Sequence, residues 1–216
     1  TVLYNNLNRL MFENGTDFMV VVNTGGEVLM RGEDRELFGD SLADDPVVWR
    51  ALDGKVVVNT TVQKGVTLPT VSIRAASPIV DTESGEPKVV GAIVTGFLLD
   101  TAFVDGIKKI TGLDVTVFAE DTRSASTIVI PGSQSRLIGT RESNKKILDT
   151  VFKEDKSYNG TAIILNQPYL SSYIPIKDIE ETAVGMFFTG RSQASVLGLA
   201  SETIQLTFLI STILML

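Results

Sequence analysis

Hydrophobic positions recur along this 216-residue chain with two different periods. Short apolar runs bounded by polar turns, such as FMVVV from Phe18, predict β-strands. A period of two also separates the faces of a strand. In TVSIRAAS this alternation places Val71, Ile73 and Ala75 on one face and Ser72, Arg74 and Ala76 on the other.

A period near 3.6 predicts helices between these strands. One helix covers Thr101–Thr111, where Phe103, Ile107 and Ile110 share a face, and it ends at Gly112. A second begins at Pro46, which suits the first helical position, and stops at Gly54. Two further helices are expected, one at the N-terminus with Leu3, Leu7 and Leu10 on one face, the other capped by Ser143 and burying Ile147, Leu148 and Val151.

The chain contains an internal duplication, most visible in its strands. The segment at 77–96, SPIVDTESGEPKVVGAIVTG, matches IPIKDIEETAVGMFFTG at 174–190, with a shorter loop in the second copy. The matched positions are Pro78, Asp81, Gly91 and Gly96 in the first copy and Pro175, Asp178, Gly185 and Gly190 in the second. Each copy has a helix, two strands, a short helix and three strands. We therefore predict an α+β fold of two tandem domains, each an antiparallel sheet with helices packed on one side.

Composition removes several classes of chemistry. The sequence has no His and no Cys, so it offers no imidazole base, no thiolate nucleophile and no ligands for the usual zinc sites. Its net charge of −7 and the lack of a Lys/Arg cluster argue against a nucleic-acid partner. The sequence implies no cofactor and no metal.

The C-terminal run TIQLTFLISTILML, residues 203–216, is uncharged and mostly apolar. It is shorter than the roughly 20 residues that a membrane-spanning helix needs. We interpret it as the start of a transmembrane helix, and a buried C-terminal helix is the alternative.

At this point the sequence resembles the double Cache family of extracytoplasmic sensor domains. The second half carries the resemblance through TGLDVTVFAEDTRSAST, SRLIGT, KSYNGTA, PYLSSYIPIKD and VGMFFTG. The first half carries it through FGDSL, ALDGK, IRAASPIVD and VVGAIVTGFLLD. Together these segments extend over residues 16–191.

The resemblance implies two PAS-like domains outside the membrane. It implies a domain organisation of residues 1–16 as the end of a signalling helix, 17–111 as the membrane-distal domain, 112–192 as the membrane-proximal domain and 193–216 as the juxtamembrane segment and truncated transmembrane helix. It also implies a homodimer formed through the N-terminal helix. The cytoplasmic output would be a histidine kinase, a chemoreceptor or a cyclic-nucleotide enzyme, as in two-component and chemotaxis systems.

PAS-like sensors bind ligands between the sheet and its covering helix, and this directs attention to five distal residues. Arg74 could pair with a carboxylate or other small anion through its guanidinium, with Ser72 on the same strand face. Trp49 lies on the covering helix, and Thr61 and Arg31 are further candidates. The alternatives are a solvent-facing Arg74 and a Trp49 that packs in the core. The Arg-x-Trp-Tyr run of amino-acid-binding members is not matched, because Trp49 precedes Arg50.

The proximal copy offers weaker candidates, which are Arg123, Thr127, Arg136, Tyr169 and Tyr173. Structural roles are the favoured alternative for all five, because many proximal copies are thought to transmit signals without binding a ligand.

The sequence thus predicts a small-molecule sensor with no catalytic residues of its own. Ligand binding at Arg74 would move the covering helix and, through the last strand, the membrane helix. One rival is a spacer and dimerisation module of a membrane protein. The other is an anchored hydrolase with paired Asp/Glu residues, for which no motif is present.

Overall fold

The computed structural model describes residues 2–65, 67–83 and 85–194. Its elements, in chain order, are α1 Val2–Asn14, β1 Phe18–Asn23, β2 Val28–Arg31, α2 Pro46–Leu52, β3 Val57–Gln63, β4 Thr70–Asp81, β5 Lys88–Leu98, α3 Thr101–Thr111, β6 Asp114–Ala119, β7 Thr122–Ser126, α4 Lys145–Leu148 with a π-helical turn at Asp149–Lys153, β8 Tyr158–Ile164, β9 Gln167–Lys177 and β10 Ala183–Ser192. Within this part of the chain, no helix has both the length and the apolar character that crossing a membrane requires. The transmembrane helix predicted within 193–216 lies outside the described residues from 195 onward.

The chain divides into two units, each built on one five-stranded antiparallel sheet. Unit 1 holds the chain up to Leu99 together with Lys177–Val184, and unit 2 holds Asp100–Ile176 and the chain from Gly185 on. The strand order is β2-β1-β5-β4-β3 in unit 1 and β7-β6-β10-β9-β8 in unit 2. The two orders are equivalent, which confirms both the predicted duplication and the α+β class.

Strand β1 explains why unit 1 has helices on both faces of its sheet. Its residues are buried on alternate sides: Val20 and Val22 belong to the cluster beneath α2, whereas Met19 and Val21 pack with Leu7 of α1. A strand covered on both faces reads as a continuous apolar run, not as an alternating one. The prediction that helices pack on one side only was therefore wrong for unit 1.

Unit 1 also includes a second stretch of the chain, Lys177–Val184. The backbone N–H of Ile179 donates to Oδ1 of Asn59 at 2.8 Å, and the Ile179 side chain packs against the cluster under α2. Glu180 lies 3.6 Å from the guanidinium of Arg50. This stretch thus completes the packing around β3 and α2.

Unit 2 places α4 and the π-helical turn over one face of its sheet. Ile147 and Val151 are fully buried there against Phe118 and Met186. The N-cap of α4 is Asn144, whose Oδ1 accepts from the N–H of Lys146 at 3.0 Å, so the predicted Ser143 cap was off by one residue. Ser143 instead donates its backbone N–H to Glu142.

The glycines of the duplication are required by close approach between strands. Gly96 pairs with Phe18, and Gly190 pairs with Asp114, at corresponding positions of the two sheets. A Cβ on Gly96 would overlap the carbonyl oxygen of Ile73 and press on the ring of Phe18. These glycines recur in both copies because a larger side chain at either position would collide with the neighbouring strand.

We expect Gly96→Ala to destabilise the protein by about 1–3 kcal/mol, the usual cost of overpacking. The measurement is the free energy of unfolding in urea. Gly106→Ala is the matched control, because a Cβ on Gly106 meets open space in the middle of α3. That change should be neutral or stabilise by about 0.5–1 kcal/mol. Equal destabilisation by both changes would contradict the packing explanation.

Candidate functional site

Unit 1 encloses a cavity of about 350 Å³ between the inner face of its sheet and α2. Val20 and Val94 contribute from the sheet and Val48 from α2. The charged residues of the lining are Asp17, Arg31, Glu33, Asp45 and Arg74. A half-apolar cleft with a few convergent polar groups has the general form of a small-molecule site.

Arg74 reaches this cavity because of the alternation along β4. Ser72, Arg74 and Ala76 are all buried on the inner face, as the sequence pattern predicts. The Arg74 Nη1 donates to Oδ2 of Asp45 at 2.7 Å, and Nε donates to Oγ of Ser72 at 3.2 Å. Within the described part of the chain Nη2 makes no hydrogen bond, so one edge of the guanidinium keeps unused donors.

Asp45 uses its two carboxylate oxygens for different tasks. Oδ2 accepts from Arg74, and Oδ1 accepts from the backbone N–H of Val47 at 2.9 Å, which makes Asp45 the N-cap of α2. Both side chains of the pair are nearly buried, with 10% of Arg74 and 15% of Asp45 exposed. A single carboxylate thus joins the start of α2 to the middle of the sheet.

An aromatic ring also lies beside Arg74. Its guanidinium carbon lies 5.5 Å from the centre of the Phe18 ring, within cation–π range. Burial lowers the pKa of Arg74, while the charge and hydrogen bond of Asp45 act in the opposite direction. Arginine nevertheless keeps its proton at any working pH, so the site holds a permanent buried cation.

The remaining charged groups of the lining have local partners. Arg31 binds Asp40 through two hydrogen bonds of 2.7 and 2.8 Å. That contact raises the pKa of Arg31 and lowers the pKa of the Asp40 carboxyl. Asp17 accepts from the N–H of Leu98, and Glu33 accepts from the N–H of Met19.

The structure brings four of the five distal candidates to one region. Arg74 and Arg31 line the cavity, and Ser72 supports Arg74. Thr61 pairs with Ser72 across β3 and β4, and its buried hydroxyl has no hydrogen-bond partner within the described residues. Trp49 stands apart: it is 48% exposed, and the Arg50 guanidinium lies 5.4 Å from its ring centre.

In unit 2 the corresponding space is filled by aromatic side chains. Tyr169 and Tyr173 occupy the strand positions that Ser72 and Ala76 hold in unit 1. Phe118 and Phe188 take the places of Val22 and Val94, as the equivalent strand registers show. The rings pack together, with centroids of Tyr173 and Phe188 5.0 Å apart. Of the four unit 1 residues in this comparison, Val94 lines the cavity, and its counterpart Phe188 packs against both tyrosines.

The proximal candidates fall into separate polar clusters. Thr127 and Tyr169 both donate to Asp114, at 3.0 and 3.4 Å. Arg123 and Tyr173 both donate to Oε2 of Glu142, at 3.0 and 3.2 Å.

Arg136, the fifth proximal candidate, pairs with Asp105 of α3 through two hydrogen bonds of 2.7 and 2.9 Å. All five proximal candidates thus have partners within unit 2, an arrangement that favours structural roles.

Sequence reasoning missed the acidic partners in both units. Asp45, which directly precedes the predicted helix start at Pro46, was not singled out, and neither were Glu142 and Asp114. Asp45 is 29 residues from Arg74 in the chain, and strand alternation says nothing about partners across the fold. One signal in the sequence could have suggested the pair. Asp45 is an acidic residue at the start of a predicted helix, and Arg74 is a predicted ligand-site residue that would need a partner when buried. Within the described residues, no group of His, Cys, Asp and Glu side chains could hold a metal ion.

Comparison with known proteins gives one family match. The family model described as single Cache domain 3 matches residues 95–203, just over half of the chain. No match to a curated protein sequence is found. The matched model describes one domain and begins near the end of β5, so it covers mainly unit 2.

Several solved structures have a similar fold. The sensor domain of the V. cholerae histidine kinase DctB has a TM-score of 0.54 at 11% identity, covering 89% of this chain and 78% of that one. The periplasmic domain of RsbU from Chlamydia trachomatis has a TM-score of 0.51 at 10% identity, covering 92% and 78%. The sensory domain of the Campylobacter jejuni chemoreceptor Tlp3 has a TM-score of 0.51 at 11% identity, covering 89% and 73%. At these identities the likeness shows the fold, and it extends over both units.

We expect the Arg74–Asp45 pair to behave as one energetic unit. Arg74→Met and Asp45→Asn should each destabilise by about 3 kcal/mol, because each leaves a buried charge without its partner. The double variant should lose clearly less free energy of unfolding than the sum of the losses in the two single variants. A double-mutant cycle by urea unfolding measures this coupling, and additivity within about 0.5 kcal/mol would contradict it.

We also expect Tyr173 to make the protein sensitive to alkali. Burial, followed by the charge of Glu142, raises the pKa of Tyr173 well above its ordinary value of 10.0. The folded state therefore holds this proton more tightly than the unfolded state, and the stabilisation is complete below about pH 10 and lost as the pH rises further. Stability should fall by on the order of 1.4 kcal/mol per pH unit above pH 10, and Tyr173→Phe should lack this part of the slope. Unfolding midpoints between pH 9 and 11 test it; an unchanged slope in the variant would count against it.

Proposed function

The chain belongs to the Cache family, and from that premise we propose that unit 1 is the small-molecule binding part of an extracytoplasmic sensor domain. Unit 2 would carry the signal towards the C-terminus without a ligand of its own. The parent protein would be a membrane receptor whose cytoplasmic output is a histidine kinase, a chemoreceptor or a cyclic-nucleotide enzyme. The domain itself would have no catalytic role.

The observation that carries this proposal is the difference between the two units at equivalent positions. Val94 lines the cavity of unit 1, whereas its counterpart Phe188 packs against Tyr169 and Tyr173 in unit 2. The cavity is lined by the Arg74 guanidinium, whose Nη2 makes no hydrogen bond within the described part of the chain. Buried polar groups without partners cost free energy, and a ligand that satisfies them recovers it.

The charges of the lining narrow the class of ligand. A carboxylate or other anionic group could pair with the free edge of Arg74. The lining, however, carries the carboxylates of Asp17, Glu33 and Asp45 against the guanidiniums of Arg31 and Arg74. The three carboxylates outnumber the two guanidiniums, so a ligand whose only charge is negative would be repelled by this excess of negative charge. A small molecule with an anionic group and a neutral polar or cationic remainder fits the lining better.

The remaining parts of the proposal concern placement in the cell. Residues 1–192 would lie outside the cytoplasm, with the apolar segment at 203–216 leading into the membrane. The likeness to periplasmic and sensory domains supports this placement. A homodimer through α1 would pair two such domains.

A second candidate function is a spacer and dimerisation module that binds nothing. One observation favours it: Asp45 already neutralises Arg74, so the cavity presents no uncompensated cation. The two functions differ in whether any small molecule stabilises the fold.

A thermal-shift screen of the full chain distinguishes them. The panel contains carboxylates, amines, sugars and molecules with both charged groups, each tested on native protein and on Arg74→Met. A ligand at 100 times its Kd should stabilise the native protein by about 2.7 kcal/mol, and Arg74→Met should lose most of that shift. The matched control is Arg136→Met, which breaks an Arg–Asp pair in unit 2 and should keep the shift. No shift with any compound would favour the spacer function, and a shift that survives Arg74→Met would place the ligand elsewhere.

A further inference from the structure

We propose that the Arg74–Asp45 pair is a competitive latch: an anionic ligand group takes the place of Asp45 on Arg74 and thereby releases the start of α2 from the sheet. This inference rests on the proposed function, because it describes how that cavity would be regulated. It assigns to Asp45 the role of an internal competitor of the ligand.

The first support is the double use of Asp45. Its Oδ2 holds Arg74 on β4, and its Oδ1 caps α2 through Val47. Whatever displaces Oδ2 from the guanidinium therefore acts directly on the residue that fixes the start of the helix. Asp45 and Arg74 both line the cavity, so a bound molecule would have access to the pair.

The second support is the small number of contacts that hold the Asp45 carboxylate. In unit 2 the Glu142 carboxylate plays a comparable part beside α4, but it accepts from four groups, which are Arg123, Tyr173 and the N–H groups of Ser143 and Asn144. Asp45 accepts from two side-chain or backbone groups in the described part of the chain, Arg74 and Val47. The carboxylate beside the cavity is thus the less firmly held of the two.

The third support is the shortness of α2. Pro46–Leu52 has seven residues, and a helix of that length depends on tertiary contacts for its stability. Val47, Val48 and Ala51 hold it to the sheet, with the ion pair at its start. Loss of the pair would leave apolar contacts alone to position its first turn.

The sequence provides a reporter for this movement. Trp49 is the sole tryptophan of the chain and lies on α2. It is half-exposed, with the Arg50 guanidinium over its ring, so its fluorescence should respond to a shift of the helix.

The test uses the full chain, acetate as the anionic probe and chloride at equal ionic strength as the reference. Asp45→Asn removes the competing charge and keeps an oxygen able to cap α2. The matched control is Glu33→Gln, which removes one negative charge from the same lining without touching Arg74. Should Asp45→Asn fold poorly, Asp45→Ser supplies a second cap without the charge.

Two results are expected. Amide hydrogen exchange in residues 47–52 should rise about tenfold in Asp45→Asn without ligand and stay unchanged in Glu33→Gln. Acetate, followed by Trp49 fluorescence, should bind Asp45→Asn about tenfold more tightly than native protein, because the competing state is gone. Glu33→Gln should gain far less, and Arg74→Met should show no acetate-specific response.

The failures of the two proposals can be told apart. A loosened α2 together with equal acetate affinities in Asp45→Asn and Glu33→Gln overturns the latch and leaves the sensor function standing. Unchanged exchange in Asp45→Asn overturns the latch as well, since the pair would then not hold the helix. Absence of any acetate-specific response in all variants, with no hit in the thermal-shift screen, overturns both.

Discussion

In each unit a buried carboxylate–guanidinium pair joins the sheet to the chain at or just before the start of the covering helix, and in unit 1 this pair lines the cavity. Two charges taken out of water are costly unless they face each other with good geometry. Asp45 and Arg74 meet this condition at 2.7 Å, and Glu142 and Arg123 meet it at 3.0 Å. In unit 1 the acid of the pair is also the N-cap of α2, and in unit 2 Glu142 lies three residues before α4, whose N-cap is Asn144. A buried ion pair contributes less to stability than apolar side chains of similar volume would. We therefore attribute to both pairs a role in positioning the covering helix.

The two units show how one strand arrangement produces either a filled core or a cavity. The variable is side-chain volume on the inner face, where Val94 of the cavity lining contrasts with Phe188, which packs on Tyr169 and Tyr173. A void in a packed interior loses dispersion contacts along its whole lining. Unit 1 lacks these dispersion contacts, and a small molecule bound in the cavity would restore them. Unit 2 instead has aromatic rings that pack against one another at edge-on and tilted angles.

Much of the fold was predictable because local rules determined it. Alternation in TVSIRAAS correctly placed Ser72, Arg74 and Ala76 on one face of β4, and the repeated glycines correctly aligned the two sheets. Less was predictable where a helix is short. In α2 the buried positions are Val47, Val48 and Ala51, and seven residues are too few for periodicity to show that Trp49 would point away. The ion-pair partners were not predictable, because they arise where distant segments meet.

The charged residues that line the cavity limit the ways in which ligand binding could change the conformation of unit 1. A molecule shifts an equilibrium only through a difference in affinity between two states. If Asp45 stayed on Arg74 in both states, an anion at the free edge of the guanidinium would meet the same acidic lining each time and would distinguish nothing. Exchange of one carboxylate for another changes the constraint on α2 while keeping Arg74 paired throughout. Under the proposed exchange the buried cation keeps a carboxylate partner in both states. The free-energy difference between the states then lies at the start of α2, where Asp45 accepts from Arg74 and Val47.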